Sequence, residues 1–571
     1  MKEFFPILEW GPKLTGKAIS QDILAGITVG IMLIPQGMAY AMLAGLPPVF
    51  GLYAALFPQL IYALMGTSRQ LAVGPVAMDS LLVASGLAAL KLSGVQEYIT
   101  MAIFLSFFMG IIQLILGFLK MGFLVNFLSR PVISGFTSAA AIIIGLSQLK
   151  HLLGVGFESS NKMHLLALDF IDKVSETHLT TLAIGVLAIV LLIILKKINP
   201  TIPGALLAVI LASLWIKFFG ENSGVSILGI VPEGLPNLKI PKIEISNISR
   251  IFPLALTLSL IAYMEAISIA KAIEEKKEYS INPNQELVAL GMSNIVGSFF
   301  QSYPTSGGLS RTAVNNQAGA TSGLALIISA LMVALTLMFL TPLFYYLPNA
   351  ILASIIMVAV FGLIDFKFPK DLWYSSKSEF FVLLFTFFVT LFIGIKEGII
   401  LGVLVSLLLL VYRSTQPDIP VLGKIKGTNY FKEIDRFADD TETFESLLLV
   451  RFDAQLYFGN SQYFKEELLR RVKQKGEKLK VLILSSGGIN YIDSSGIKTL
   501  KQIIDILNSK GVKFYMAGAI GPVRDSLFRS GVAKTIGGQH FFANTQQAFA
   551  YFAFNKSKSQ IEEKISLQTN T

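Results

Sequence analysis

The 571-residue chain has no cysteine and only four histidines, and 15% of its residues are charged. Without cysteine there is no disulfide, no thiolate nucleophile and no thiolate metal ligand. His151, His164, His178 and His540 fall in no HExxH or other zinc spacing. The chain also lacks a G-x-S-x-G elbow and a G-x-x-x-x-G-K-[ST] loop. Enzymatic and ATP-driven chemistry therefore lack their usual residues, and no metal or organic cofactor is expected. Soluble domains carry roughly 25% charged residues. The shortage of charge, with 53% hydrophobic residues and a mean hydropathy of +0.64, makes lipid the main solvent of this chain.

What the sequence has in abundance is apolar runs. Uncharged windows such as Ile23–Gly45, Thr181–Leu195 and Phe380–Ile395 approach or exceed the ~17–25 residues that cross a bilayer. Roughly fourteen apolar segments, several of them short, fit between residues 23 and 413. The opening MKEFFPILEWGPKLTGKAISQD is too mixed for the n-region of a signal peptide and is expected to be retained. Residues 1–22 are either an interfacial segment anchored by Phe4, Phe5 and Trp10 or an ordinary tail.

Basic connectors at 120–130 (Lys120, Arg130), 196–197 (Lys196, Lys197), 271–277 (Lys271, Lys276, Lys277) and 367–377 (Lys367, Lys370, Lys377) set the expected orientation. With an even number of spans and both termini inside, all four face the cytoplasm, as the positive-inside rule requires. The net charge of +10 follows from that bias and does not call for nucleic acid. The expected setting is a cell membrane, specifically a bacterial inner membrane, crossed many times. The connector 150–178 mixes lysines with acids and is assigned to the exterior.

Composition shifts after Arg413. Residues 414–443 read as a polar linker, 444–556 as a small α/β domain, and 557–571 as a disordered tail. SLLLVRF, KVLILSS and VKFYMAG are short apolar runs suited to buried strands, while SQYFKEELLRRVKQK and SSGIKTLKQIIDILNSK have helical periodicity.

Two membrane segments are too short and too broken to be plain helices. They are GTSRQLAVGPVAMDSLLVASG (66–86) and TSGGLSRTAVNNQAG (305–319). Each has Gly-Pro or Gly-Gly just before a short helical run. They fall third in each of two seven-span halves, about 23–220 and 250–413, a pattern that points to a transporter site built from inverted repeats. Half-helices that start inside the bilayer aim free N–H groups and a positive dipole end at the site. With Arg311 beside Ser310, that is a pocket for an anion, and intramembrane charges are functional by default. Glu265, in LTLSLIAYMEAISIAKAI, is the other intramembrane charge. Ile261, Ala262, Ser268 and Ile269 stand one turn away on either side, and none of them is basic. Such surroundings disfavour the ionised form, so Glu265 is expected to take up and release a proton. Its alternative role is helix–helix glue.

IPQGMAYAMLAGLPPVFGLYAALFP, GTSRQLAVGP and NQELVALGMSNIVGSFFQSYPTSGGLSRTAVN, with the C-terminal domain, resemble the sulfate permease (SulP) family of anion transporters. The resemblance covers nearly the whole chain. It implies an α-helical multi-pass membrane protein with a seven-plus-seven inverted-repeat fold, a core domain moving against a gate domain, a homodimer, and a cytoplasmic α/β STAS domain. It places the anion between the third and tenth spans, closed by first-span side chains. Motif by motif, Gln36, Tyr40, Val76, Ala77, Leu309, Ser310 and Arg311 become the implied binding residues. Some animal members have phenylalanine where Val76 stands, so their pocket size does not transfer. Glu265 matches the acid of the proton-coupled, plant-like branch. In the STAS domain, YIDSSGIKTL matches a loop whose second serine, here Ser495, is phosphorylated in related regulators. A serine before a helix is also a common N-cap, and that role is the expected one for Ser495.

These readings favour an importer of sulfate or a similar oxyanion, coupled to protons. The alternatives are a sodium-coupled bicarbonate carrier, an uncoupled anion exchanger or channel, and a membrane sensor that signals through its STAS domain. A proton on Glu265 cancels only one of the two charges of sulfate, so net uptake calls for further protons, a sodium ion or a favourable concentration gradient, and the sequence shows no second carrier.

Overall fold

The computed structural model describes residues 4–557 apart from 91, 93, 124–128, 157–162, 199–202, 221–222, 242–244, 275–278 and 556. Lys276 and Lys277, and the expected disordered tail beyond Ser557, lie outside the described residues.

The apolar segments form helices in chain order. After α1 (Ile7–Trp10) comes the long α2 (Gly16–Leu43), then α3 (Val49–Ala54) and α4 (Phe57–Met65). The short strand β1 (Val73–Gly74) leads into α5 (Ala77–Ala88). The first half then runs through α6 (Val95–Phe118), α7 (Arg130–Leu153), α8 (Met163–Lys173), α9 (Leu179–Ile198) and α10 (Gly204–Phe219). The second half repeats the order with α11 (Ile245–Glu274), α12 (Pro283–Phe299), strand β2 (Ser306–Gly307) leading into α13 (Leu309–Gln317), and α14 (Leu324–Leu335). It ends with α15 (Asn349–Phe361), α16 (Lys367–Ser375), α17 (Lys377–Phe392) and α18 (Ile395–Thr415). With α3–α4 taken as one segment and α1, α8 and α16 as connectors, each half holds seven segments, the third being a strand followed by a short helix. Six described helices are long and apolar enough to cross a membrane by themselves.

The most extensive helix contacts of this region form two sets, which meet where α2 packs on α10 and α15. In one, α6 lies on α12 and α11, and α2 lies on α14; in the other, α7 holds α15 and α17, and α15 holds α9. Small residues let α6 and α12 approach closely. A methyl added to Gly110 would stand 2.7 Å from the Gly291 carbonyl, and one added to Gly291 would stand 2.8 Å from that of Gly110. Lipid offers no hydrophobic drive between helices, so such close backbone packing supplies the attraction.

Two buried acids tie connectors to this frame. Asp22 accepts from the N–H groups of Thr321 and Ser322 at 2.6 and 3.2 Å and from both their hydroxyls at 3.1 and 2.5 Å. Glu286 accepts from Tyr62 Oη at 2.7 Å, from Thr67 N and Oγ1 at 2.7 and 2.6 Å, and from Ser68 N at 3.1 Å. Phe4 and Phe5 are exposed, as interface anchors would be, but Trp10 is buried. A methyl on Gly323 would lie 3.0 Å from its ring, so Trp10 is a packing residue and not an anchor.

The chain divides into two compact units, residues 1–406 and 407–571. In the second unit the stretch expected as a linker contains three short strands, β3 (Leu422–Ile425), β4 (Phe431–Glu433) and β5 (Thr441–Glu442), in the antiparallel order β4-β3-β5. Their apolar residues are too scattered to mark strands in the sequence, yet Ile419 and Leu422 enter the hydrophobic cores that follow. A parallel sheet of β6 (Leu447–Arg451), β7 (Val481–Ser485), β8 (Lys513–Ala517) and β9 (Phe541–Phe542) comes next, in that order. Leu448 and Val450 enter one core while Leu447 and Leu449 enter the other. Both faces of the sheet are covered, which explains the unbroken apolar runs. The helices include α19 (Ser461–Lys475), α20 (Ser494–Ser509), α21 (Gly521–Arg529) and α22 (Val532–Ile536), and a further helical stretch over 545–555 brings Ala548 and Phe552 onto the sheet. Asp493, not Ser495, caps α20. Its backbone is extended and its carboxylate accepts from Gly496 N at 2.7 Å, whereas Ser495 already lies within the helix.

Candidate functional site

The two broken segments meet. β1 and β2 pair antiparallel, Val73 with Gly307 and Gly74 with Ser306. The Gly308 N–H donates to Ala72 O at 3.0 Å, and Ala72 N donates to Thr312 Oγ1 at 2.9 Å. Asn315 Nδ2 reaches Gln70 O at 2.9 Å. On the far side, Asn294 accepts from Thr305 N at 2.9 Å and donates to Thr305 O at 3.1 Å, holding the chain that enters β2. From this small sheet α5 and α13 depart, and neither has a side-chain cap at its start. The N-cap residues are Val76 and Gly308, so the first amides of both helices are free to meet a ligand.

Beside these two starts lies a cavity of about 470 Å³. Gln36 and Tyr40 of α2, Val76 and Ala77 of α5, Glu265 of α11, and Leu309, Ser310 and Arg311 of α13 all line it. Every site residue inferred from the membrane motifs therefore faces one space; Ser495 lies in the other unit. The opposite wall is Leu192 of α9, Gly204 and Ala205 of α10, and Ile355, Val358 and Ala359 of α15. The polar and charged lining residues thus stand on α2, α11 and α13, while those of α9, α10 and α15 are apolar.

Arg311 is 1% exposed, and its guanidinium lies against the two glycine turns. A methyl on Gly308 would meet Arg311 Nη2 at 2.6 Å and Cζ at 2.7 Å, and one on Gly74 would meet Nη2 at 3.5 Å. Glycine at 308 makes room for the fixed positive charge at the meeting of the two half-helices. Arg311 Nε and Nη2, Glu265 Oε2 and Gln36 Oε1 have no hydrogen-bond partner among the described residues. Arg311 stands within electrostatic reach of Glu265, Tyr40 and Tyr303. Free donors on a buried cation, beside uncapped helix starts, suit an oxyanion. Among the described residues no His, Cys, Asp and Glu group has the makings of a metal site.

One acid escaped the sequence reading. Asp79, on the first turn of α5, is fully buried, and neither carboxylate oxygen has a partner among the described residues. The rule that singles out Glu265, an acid inside an uncharged membrane run, applies equally to the D of VAMDSLL. The apolar wall could not be found that way, because its residues are chemically ordinary for a membrane helix.

Comparison with known proteins agrees with this architecture. Residues 19–386 match the sulfate permease family and residues 439–548 the STAS domain. The chain is 35% identical to sulfate transporter 4.1, chloroplastic, of Arabidopsis thaliana, over 95% of this chain and 81% of that protein. Its fold matches the inward-facing murine Solute Carrier 26 family member A9 anion transporter with a TM-score of 0.88 at 26% identity, covering 96% and 94% of the two chains. The transmembrane domain of a cyanobacterium bicarbonate transporter, BicA, matches at TM-score 0.60 and 22% identity, over 69% of this chain and 98% of that one, a likeness of fold alone.

Proposed function

Because the chain belongs to the sulfate permease family and carries a STAS domain, we propose that it is a secondary active transporter importing sulfate, or a similar oxyanion, together with protons. The observation that carries this reading is the single cavity shared by Arg311 and Glu265 at two uncapped half-helix starts. Arg311, the free amides, Ser310 and Gln36 bind the anion, and Tyr40 and Val76 shape its walls. Glu265 carries the proton. Neutralising it removes a negative charge next to an arriving anion, so proton and anion bind with positive linkage.

Movement follows from the two walls. All polar groups of the site stand on α2, α5, α11 and α13, whereas α9, α10 and α15 present a smooth apolar surface. Sliding the first set past the second moves the whole site without breaking a polar contact, which is an elevator-like step of a core against a gate. The four basic connectors follow the fourth, sixth, eighth and twelfth segments, and we place them, with both termini, on the cytoplasmic side. Assembly as a homodimer completes the proposal.

Chemistry favours sulfate over bicarbonate. A proton carried with bicarbonate is equivalent to carbon dioxide, which crosses membranes unaided, so proton coupling serves the anions of strong acids. Radiolabelled sulfate uptake into proteoliposomes, with pH and sodium gradients imposed separately, tests the reading. Accumulation under the pH gradient alone is expected. Accumulation under sodium alone overturns proton coupling, and bicarbonate competing more strongly than sulfate overturns the substrate.

A further inference from the structure

The buried acids of the membrane region fall into two kinds. Asp22 and Glu286 are each held by four donors and fasten connectors to helices. Asp79 is equally buried and has no donor among the described residues, so it fastens nothing. An ionised carboxylate out of water without partners is costly, and a structural role gives no reason to keep one there. Leucine or methionine would fill the same place on α5 without that cost.

Its surroundings connect it to the cavity. The helices packed on α5 are α2, α6, α7, α11 and α15. From α11, Glu265 acts electrostatically on Asp79, and Tyr303, just before β2, feels Asp79 in turn. The Tyr303 hydroxyl lies 3.1 Å from Ser80 Oγ, the residue next to Asp79. Tyr40 of α2 and Arg311 of α13 join the set through Glu265 and Tyr303. The other helices bring charge only in their end turns. Glu97 and Tyr98 stand at the start of α6, Arg130 at the start of α7 and Lys150 and His151 at its end, and α15 has no titratable residue. Asp79 thus stands outside the cavity lining, in the first turn of α5, the half-helix that offers its amides to the anion, and within electrostatic reach of Glu265 on α11.

Resting on the proton-coupled sulfate reading above, we infer that Asp79 is a second proton-binding residue, so that two protons accompany each sulfate. The charges balance. With both acids protonated and sulfate bound, Arg311 and the dianion leave the site with one net negative charge. With the site empty and both acids ionised, the net charge is the same. Loaded and empty forms then cross the membrane field alike, and the membrane potential does not oppose uptake. One proton alone would leave a net charge to be moved against the potential, which suppresses accumulation by about 50-fold for each 100 mV, inside negative.

The test is steady-state sulfate accumulation in proteoliposomes, with the pH gradient and a valinomycin-clamped potassium potential varied independently. For the unaltered protein, accumulation is expected to rise about 100-fold per pH unit and to ignore the potential. For Asp79→Asn it is expected to rise about tenfold per unit and to fall about 50-fold per 100 mV inside negative. An unaltered protein with tenfold pH dependence and full voltage sensitivity overturns the inference, as does an Asp79→Asn variant with unchanged stoichiometry. If Asp79→Asn is inactive, Asp79→Glu decides. Restored two-proton coupling supports the assignment, and failure of both variants overturns it in favour of a packing role. An unaltered protein that accumulates no sulfate under a pH gradient refutes the underlying reading, and this inference falls with it.

Discussion

Gly308→Ala adds one methyl at the point where the site's charge is held. Its backbone, at φ −95° and ψ 123°, is one that alanine adopts without strain, so the substitution acts through space alone. The new methyl would lie 2.6 Å from Arg311 Nη2 and 2.7 Å from Cζ. Ordinary contact begins at 3.4 Å, so the guanidinium must retreat by about 0.8 Å. For an anion held ~4 Å from that charge at an effective dielectric constant of ~20, the retreat costs about 0.7 kcal/mol per unit of anion charge. A dianion loses about 1.4 kcal/mol, roughly tenfold in affinity. Calorimetric titration of sulfate into the purified, monodisperse protein measures it. A double-mutant cycle isolates the cause. In an Arg311→Gln background the methyl has no guanidinium to displace, and its effect is expected to vanish. Unchanged affinity for Gly308→Ala refutes the placement of Arg311 in the site. An equal loss in both backgrounds refutes the electrostatic route and means that the methyl obstructs the anion directly.

Further outcomes follow from other contacts. Arg311→Gln is expected to weaken sulfate binding with folding retained, and Arg311→Lys to recover only part of the loss, since lysine lacks the planar fork; titration of both variants checks this. Gly291→Leu places a large side chain against the α6 backbone and is expected to abolish a monodisperse peak in size-exclusion chromatography. In the C-terminal unit, Asp493→Ala is expected to cost about 0.5–2 kcal/mol through the lost cap, and Ser495→Ala little, by denaturant melts of residues 416–557 expressed alone. In the same unit, the hydrogen bond from Arg470 holds the Glu467 carboxyl below its usual range. A depressed folded value stabilises above the unfolded value and is lost as pH falls. Glu467→Gln should therefore lower the melting temperature at neutral pH, with the difference shrinking below about pH 4.

The sequence already contains most of this picture where chemistry is rare. In a chain with so few charges, Arg311 and Glu265 stand out, and Gly74-Pro75 and Gly307-Gly308 mark the breaks before the short half-helices. The pairing of β1 with β2 is not legible, because two-residue strands have no periodicity and their partners lie more than 230 positions apart. The three strands within the expected linker are hidden for a similar reason. The cap of α20 turns on which of three adjacent polar residues has an extended backbone, a matter that Asp493 and Ser495 settle only in three dimensions. Asp79 was legible by the same rule as Glu265. What the sequence cannot give is the contrast between an acid with no donors and Asp22 with four, and that contrast is what separates coupling from fastening.

The most direct test of the central claim, that Glu265 couples sulfate to protons, is a paired transport measurement on Glu265→Gln, which imitates the protonated acid. Reconstituted into liposomes, the variant is predicted to bind sulfate and exchange it for sulfate across the membrane. It is predicted to accumulate none when only a pH gradient is applied. Full pH-driven accumulation by Glu265→Gln would contradict the account and return Glu265 to the role of helix–helix glue.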